Sequence, residues 1–183
     1  MPRTLFLLFF SLACLTATAQ KKKLGLGLKW VNDLTLNYGL APGIGIQATY
    51  RLTEHGGFES GIYFSTWNHH YISTDGAGLS SGRIAERHLY LPVLYRYVSR
   101  RINFTAGAAA DFFLQYNQKD KYGNITLAEL EPPGTSMFFT AGVSRSVYLS
   151  KTLILEPEIR INYKFLDDDG SLGLNLALRK EIL

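Results

Sequence analysis

The chain contains a single cysteine, Cys14, in an N-terminal segment that we expect to be removed. Without a second cysteine there is no disulfide framework, so stability must come from a buried core or from closure of a sheet. Beyond that segment there is no apolar run of about 20 residues, the length that a membrane-spanning helix needs. If the protein spans a membrane, it must therefore be a closed β-barrel, because lipid cannot satisfy an open sheet edge.

The first 19 residues have the features of a cleaved signal peptide. Arg3 provides the positive charge, residues 5–12 form a short apolar stretch, and residues 17–19 are small, as a cleavage site requires. We therefore expect a signal peptide over 1–19 and one mature domain over 20–183.

Charge and motifs exclude several classes of function. The net charge of +4 is spread along the chain, and the only basic run is the trio at residues 21–23, which we interpret as a solvated tail. Nucleic-acid binding is therefore not expected. The sequence has neither a glycine-rich phosphate loop nor a nucleophile elbow, so we expect no enzymatic activity and no cofactor.

Alternation of apolar and polar residues is the dominant pattern in the chain. It is clearest at residues 152–165, where Leu153, Leu155, Ile159 and Ile161 share one parity. Successive side chains of a strand point to opposite faces, so this segment is a strand with one apolar and one charged face. Eight candidate strands can be assigned in this way: 24–31, 43–52, 58–67, 88–98, 102–116, 137–149, 152–165 and 171–179.

The links between these strands also alternate. Short links follow the second, fourth and sixth strands, and longer polar links follow the first, third and fifth. This arrangement is typical of an eight-stranded antiparallel up-and-down transmembrane barrel, with both termini and the short turns in the periplasm. The link at Asp167-Asp168-Asp169-Gly170 is shorter than the pattern predicts.

A soluble lipocalin-like barrel alternates as well, with its apolar side chains facing inward around a ligand. Three features favour the membrane form. One parity is almost purely aliphatic and aromatic, and the other mixes glycine, small polar residues and charges of both signs. Tyrosine and tryptophan also cluster near the strand ends, where interfacial girdles occur.

Residues 87–97, RHLYLPVLYRY, resemble the strand Y-L-x-x-P-x-L-x-K/R-Y of the PorT-like outer-membrane β-barrel family of Bacteroidota. The segment 104–108, the strand containing Gly142 and the late glutamate-rich strand with Arg160 and Tyr163 follow in the order of that family. The resemblance implies an eight-stranded barrel in the outer membrane. Two features depart from it: the chain ends in Glu181-Ile182-Leu183 without an aromatic residue, and Arg145 falls on the apolar parity. A β-bulge or snorkelling of the side chain would accommodate Arg145.

The inward parity carries the candidate site, a set of charged side chains. An eight-stranded barrel is only wide enough to be filled by its own side chains, so we interpret these charges as a structural network rather than a polar pathway or an acid–base pair. The set is Lys29, Arg51, Glu59, Arg96, Asp111, Glu156, Glu158, Arg160, Lys164 and Arg179.

Metal sites are not expected. His69 and His70 are adjacent on a strand and point to opposite faces, and His88 alone does not complete a chelate. The acidic link at 167–170 lacks the ligand spacing of an EF-hand and is interpreted as a turn.

The leading hypothesis is a small outer-membrane barrel with a structural or interaction role. It would contact lipid, and its outer loops or periplasmic turns would contact protein partners. A narrow transport pore is the first alternative, and bulky inward residues (Tyr63, Tyr90, Leu94 and Phe113) argue against it. A secreted soluble barrel that binds a hydrophobic ligand is the second.

Overall fold

The computed structural model describes residues 23–35, 39–75, 78–120, 125–126, 134–164 and 170–182. The predicted signal peptide lies outside these residues. The strands are β1 (Lys23–Thr35), β2 (Gly39–Arg51), β3 (Gly56–Asp75), β4 (Gly78–Val98), β5 (Asn103–Asp120), β6 (Ile125–Thr126), β7 (Ser136–Ser144), β8 (Val147–Tyr148), β9 (Leu153–Lys164) and β10 (Gly170–Ile182). The described residues include no helix that is long and apolar enough to cross a membrane.

The strands form one closed antiparallel barrel. Each long strand pairs with the next, and β10 pairs with both β9 and β1, for example through Leu24 opposite Ile182. The two-residue strand β6 pairs with β5. The two-residue strand β8 continues the line of β7, and both pair with β9, so β7 and β8 together form the sixth strand of the barrel. The prediction of an eight-stranded antiparallel barrel is therefore confirmed.

The barrel has two distinguishable ends. The turn end holds the links 52–55, 99–102 and 149–152, together with the start of β1 and the end of β10. The loop end holds the ends of β1, β3, β5 and β9 and the starts of β2, β4, β7 and β10.

The predicted long links at the loop end are mostly strand. β1 and β2 are separated only by residues 36–38, and β3 and β4 continue until only residues 76–77 lie between them. The expectation of long links after the first and third strands was therefore wrong. Residues 68–75 and 78–85 are too polar to show the apolar alternation, yet their backbones pair with one another from Asn68↔Ala85 to Asp75↔Gly78.

Burial along the strands is the reverse of that in a soluble protein. On β10, Leu174 is 59% exposed, whereas Arg179 is 4% exposed and points inward. The same alternation holds on β9, where Ile161 is 59% exposed and its neighbour Arg160 is 3% exposed. Apolar side chains thus cover the outside of the barrel, and charged side chains fill the inside.

A β-bulge in β5 reverses the expected parity near the loop end. His88 pairs with Phe113 and Arg87 pairs with Gln115, so Leu114 is the extra residue. Leu114 and Gln115 are both exposed. The parity of the strand predicted at 102–116 would place Gln115 inward with Asp111, but one additional residue on one strand shifts every later side chain to the opposite face.

Arg145 lies between β7 and β8, and its side chain is exposed. Its backbone N–H donates to the carbonyl oxygen of Pro157 at 3.1 Å. Pro157 has no N–H to return the second bond of the pair, which explains why the ladder is interrupted here while the register continues unchanged. No bulge is needed, and Arg145 is close enough to the turn end for its long side chain to reach the barrel rim.

Tyr63 is packed between two glycines of the barrel wall. A Cβ atom at Gly45 would lie 2.4 Å from Tyr63 Cδ1, and one at Gly61 would lie 2.8 Å from Tyr63 Cζ. The Tyr63 ring therefore lies against the wall at Gly45 and Gly61, because any larger side chain at these two positions would occupy the space of the ring.

Candidate functional site

Seven charged side chains form a continuous ion-pair network across the interior. We call this set, listed at the end of this sentence, the interior ion network: Lys29, Glu59, Arg96, Glu156, Glu158, Arg160 and Arg179. They come from β1, β3, β4, β9 and β10, so the network joins opposite sides of the barrel.

Glu59 is the centre of this network. Its Oε1 accepts from Lys29 Nζ at 3.1 Å and from Arg160 Nη2 at 2.8 Å, and its Oε2 accepts from Arg96 Nη1 at 2.9 Å. The Glu59 side chain is fully buried, at 0% exposure. Three cations around one carboxylate offset the large cost of removing it from water.

Two further carboxylates extend the network along β9. Glu158 accepts from Lys29 at 2.5 Å and from Arg160 Nη2 at 2.7 Å. Glu156 accepts from Arg96 and, at 3.2 Å, from Arg179. Because Glu156, Glu158 and Arg160 alternate along one strand, all three point into the barrel from the same face.

Neutral side chains add hydrogen bonds to the network. Ser144 donates to Glu156 at 2.5 Å, Thr105 donates to Glu158 at 3.2 Å, and Asn175 donates to Glu158 at 3.1 Å. Arg179 donates to Thr49 at 3.0 Å. Buried bonds of this kind hold the strands in one register, although Arg179 Nε has no hydrogen-bond partner among the described residues.

The interior ion network and its neighbours fill the cross-section of the barrel. Tyr63 is 1% exposed and Leu94 is 0% exposed, and both point inward beside the charged groups. The Lys29 ammonium also lies 5.7 Å from the centre of the Tyr63 ring, within range of a cation–π contact.

Three of the predicted site residues lie outside the interior ion network. Arg51 is at the turn end, with Nη2 3.7 Å from Glu181. Asp111 is near the loop end and bonds to His88. Lys164 also lies near the loop end, as the last residue of β9. The structure brings the other seven together.

Sequence reasoning missed Glu181 and Asp33. Glu181 Oε2 lies 3.3 Å from Lys23 Nζ, and Glu181 Oε1 lies 3.8 Å from Arg179 Nη1. These ion pairs lie at the turn end of the barrel. Asp33 accepts a hydrogen bond from Asn162 at 3.5 Å. Both residues continue the inward parity of their strands, but they lie beyond the strand limits predicted from the apolar alternation.

A second polar cluster surrounds His88 near the loop end. Its Nδ1 lies 2.9 Å from Asp111 Oδ2, and its Nε2 lies 3.3 Å from Glu86 Oε2. The ring stacks on Trp67, with the ring centres 5.0 Å apart. Both ring nitrogens are therefore engaged by carboxylates.

No group of three or more potential metal ligands occurs among the residues that the structure describes. The side chains of His69 and His70, and residues 167–169, lie outside the described part. Glu156 and Glu158, the pair of neighbouring carboxylates in the sequence, are both held by cations of the interior ion network.

The loop end contains a recess with two chambers. The outer chamber has a volume of about 220 Å³ and is lined by Trp67, Glu86, Phe113 and Lys164, among others. An inner pocket of about 20 Å³ adjoins it, lined by Asp33 and Tyr90 among others. Trp67, Asp111, Phe138 and Ser171 line both chambers.

No protein-family model matches this sequence, and no curated protein matches it. Several solved barrels are similar in structure. Ail, the attachment invasion locus protein of Yersinia pestis, is 13% identical with a TM-score of 0.46, covering 88% of this chain and 97% of Ail. Neisserial surface protein A is 12% identical with a TM-score of 0.47, covering 88% and 97%. The N-terminal β-barrel domain of Pseudomonas aeruginosa OprF is 12% identical with a TM-score of 0.43, covering 85% and 96%. These similarities say nothing about what this chain binds.

Proposed function

We propose that this chain is an integral outer-membrane β-barrel whose interior is closed by its own side chains. The observation that carries the proposal is the reversed burial: leucines such as Leu174 and Leu176 are exposed all along the outside, while Lys29 and Arg160 are buried inside. A soluble monomer rarely exposes a contiguous apolar patch beyond about 300–600 Å². An apolar belt around a closed barrel is instead what contact with lipid requires.

The height of the apolar belt fits a bilayer. On β10 the outward side chains from Leu172 to Ile182 are apolar, except for Lys180 near the turn end. Ten residue steps of a strand cover about 34 Å, which at the tilt of outer-membrane barrels gives a height of about 25 Å. This matches the apolar band of known outer-membrane barrels, which is about 25 Å tall.

A structural or interaction role suits the closed interior. A transport pore needs a continuous wet lumen, whereas Tyr63, Leu94 and the interior ion network occupy the cross-section here. A soluble lipocalin-like barrel needs an apolar interior for its ligand, and this interior is charged. The proposed role is not catalytic, because the paired carboxylates of β9 serve as partners of buried cations.

The finer assignments are also proposals. The strand around Pro92, whose side chain is buried and inward, supports membership of the PorT-like family of Bacteroidota. The signal peptide at 1–19 provides the export that an outer-membrane protein requires. Both described termini lie at the turn end, so we assign the turn end to the periplasm and the loop end, with its protein contacts, to the outside.

Fractionation of cells that express the full chain tests the proposal. We expect the protein in the outer membrane, and we expect unheated samples to migrate differently from heated samples on a denaturing gel, as folded barrels do. A chain lacking residues 1–19 is the matched control and should remain in the cytoplasm. Recovery of the processed protein in the soluble periplasm would contradict the proposal.

A further inference from the structure

We propose that the loop-end recess binds a small organic cation with a primary ammonium group, which enters the inner pocket while its short tail occupies the outer chamber. This goes beyond the proposed function, because nothing in a structural barrel requires an open recess. It rests on that function only in needing the barrel to be folded.

Asp111 provides the first observation. It is 7% exposed, and its Oδ2 lies 2.9 Å from His88 Nδ1. Its other oxygen, Oδ1, is buried and has no hydrogen-bond partner among the residues that the structure describes. An unpaired buried acceptor destabilises the folded protein, and it does so more strongly when it is charged. Such an oxygen, on a residue that lines both chambers, is free to accept a hydrogen bond from a donor that enters the recess.

The charge of the inner pocket provides the second observation. Among the described residues that line it, two are carboxylates, Asp33 and Asp111, and none is a lysine, arginine or histidine. Aromatic side chains, including Trp67 and Tyr90, line the same pocket. Carboxylates together with aromatic faces are the surroundings that favour a cation over a neutral group or an anion.

The size of the two chambers selects the kind of cation. The inner pocket, about 20 Å³, holds one group of about the size of a water molecule, such as an ammonium head with its three donors. The outer chamber, about 220 Å³, is smaller than the pockets of about 300–1,000 Å³ that hold drug-sized ligands, so the tail must be short. Phe113 and Phe138 offer apolar surface to that tail, and Lys164 and Glu86 also line the chamber.

Trp67 reports directly on this recess. The chain has two tryptophans, and Trp30 is 58% exposed on the outside of the barrel. In a Trp30→Phe background the fluorescence therefore comes from Trp67 alone. The protein is refolded into phosphatidylcholine vesicles, whose headgroups carry no primary amine, and is titrated with n-butylammonium, n-butanol and butyrate at equal ionic strength.

We expect a saturable change in Trp67 fluorescence with butylammonium and none with butanol or butyrate. Asp111→Asn should weaken binding by about tenfold or more, because it removes the charge of an ion pair. Glu54→Gln, an exposed carboxylate at the turn end, is the matched control and should leave binding unchanged.

Three results would overturn the proposal: an equal response to butanol, unaltered binding in folded Asp111→Asn, or equal affinity for ammonium chloride, which would show that the outer chamber contributes nothing. If Asp111→Asn does not fold, the comparison of butylammonium with butyrate still decides. Heat-dependent migration on a gel separates the two proposals, because a folded barrel that ignores butylammonium contradicts only this one.

Discussion

The Arg160 guanidinium donates to the Glu59 carboxylate at 2.8 Å, although the two residues are 101 positions apart in the chain. The contact crosses the barrel from β9 to β3, and Arg160 also holds Glu158 at 2.7 Å. Both partners of this bond are almost completely buried, with side-chain exposures of 3% and 0%. Because β9 and β3 lie on opposite sides of the barrel, this bond can form only when the sheet is closed.

Replacement of Arg160 by Met should therefore be strongly destabilising. It leaves the buried carboxylates of Glu59 and Glu158 with fewer cations, and breaking a buried ion pair in this way costs about 3–5 kcal/mol. Urea unfolding in phospholipid vesicles, followed by tryptophan fluorescence, measures the change.

Arg145→Met is the matched control for Arg160→Met. Arg145 is exposed and has no ion pair among the described residues, so its replacement should change the free energy of unfolding by about 0.5 kcal/mol or less. Equal effects of the two substitutions would show that the interior ion network does not stabilise the barrel.

Gly45→Ala should also destabilise the barrel, because the new methyl group has no room. Its Cβ would lie 2.4 Å from Tyr63 Cδ1 and 2.2 Å from the carbonyl oxygen of Ile62. Overpacking of this kind costs about 1–3 kcal/mol. The same urea titration provides the measurement, and Gly134→Ala, where nothing lies within 4 Å of the new Cβ, is the control. A Gly45→Ala variant as stable as the Gly134→Ala variant would mean that Tyr63 does not pack against the wall.

Because the interior is closed, we expect the protein not to conduct ions. Reconstituted into planar bilayers, the folded protein should show no steady conductance, because Tyr63, Leu94 and the interior ion network leave no continuous water path. The control is the same preparation, checked for heat-dependent migration before it is added to the bilayer. Reproducible conductance steps that scale with salt concentration would support the transport alternative instead.

The sequence was sufficient to predict the barrel and the facing of its charges. The strict alternation at 153–164 and 171–179 places Glu158 and Arg160 on one side of the wall before any contact is known. It could not predict which cation binds which carboxylate, because pairs such as Arg160 with Glu59 depend on the curvature and register of the whole closed sheet.

Two other features were beyond sequence reasoning for different physical reasons. The strands β3 and β4 continue past the apolar belt, where backbone pairing persists but the sequence shows no regular alternation of apolar and polar residues. The bulge at Leu114 adds a single residue, and the residues on both sides of it fit an alternation that begins on either face, so the sequence does not reveal it.

The parity of Asp111 predicted that it points inward. Its partner is His88 rather than a member of the interior ion network.

A lysine placed on the outside of the barrel distinguishes lipid from water as its surroundings. Leu174 is 59% exposed near the middle of the outward face of β10. If that face contacts lipid, Leu174→Lys should cost about 2–4 kcal/mol, the penalty for lysine near the bilayer midplane. Ile182→Lys, on the same face but at the turn end, should cost only about 0–1 kcal/mol. Urea unfolding of both variants in vesicles measures the difference. In a water-soluble barrel both substitutions would be nearly neutral, so a flat result at both depths would contradict the outer-membrane proposal whatever the gel migration shows.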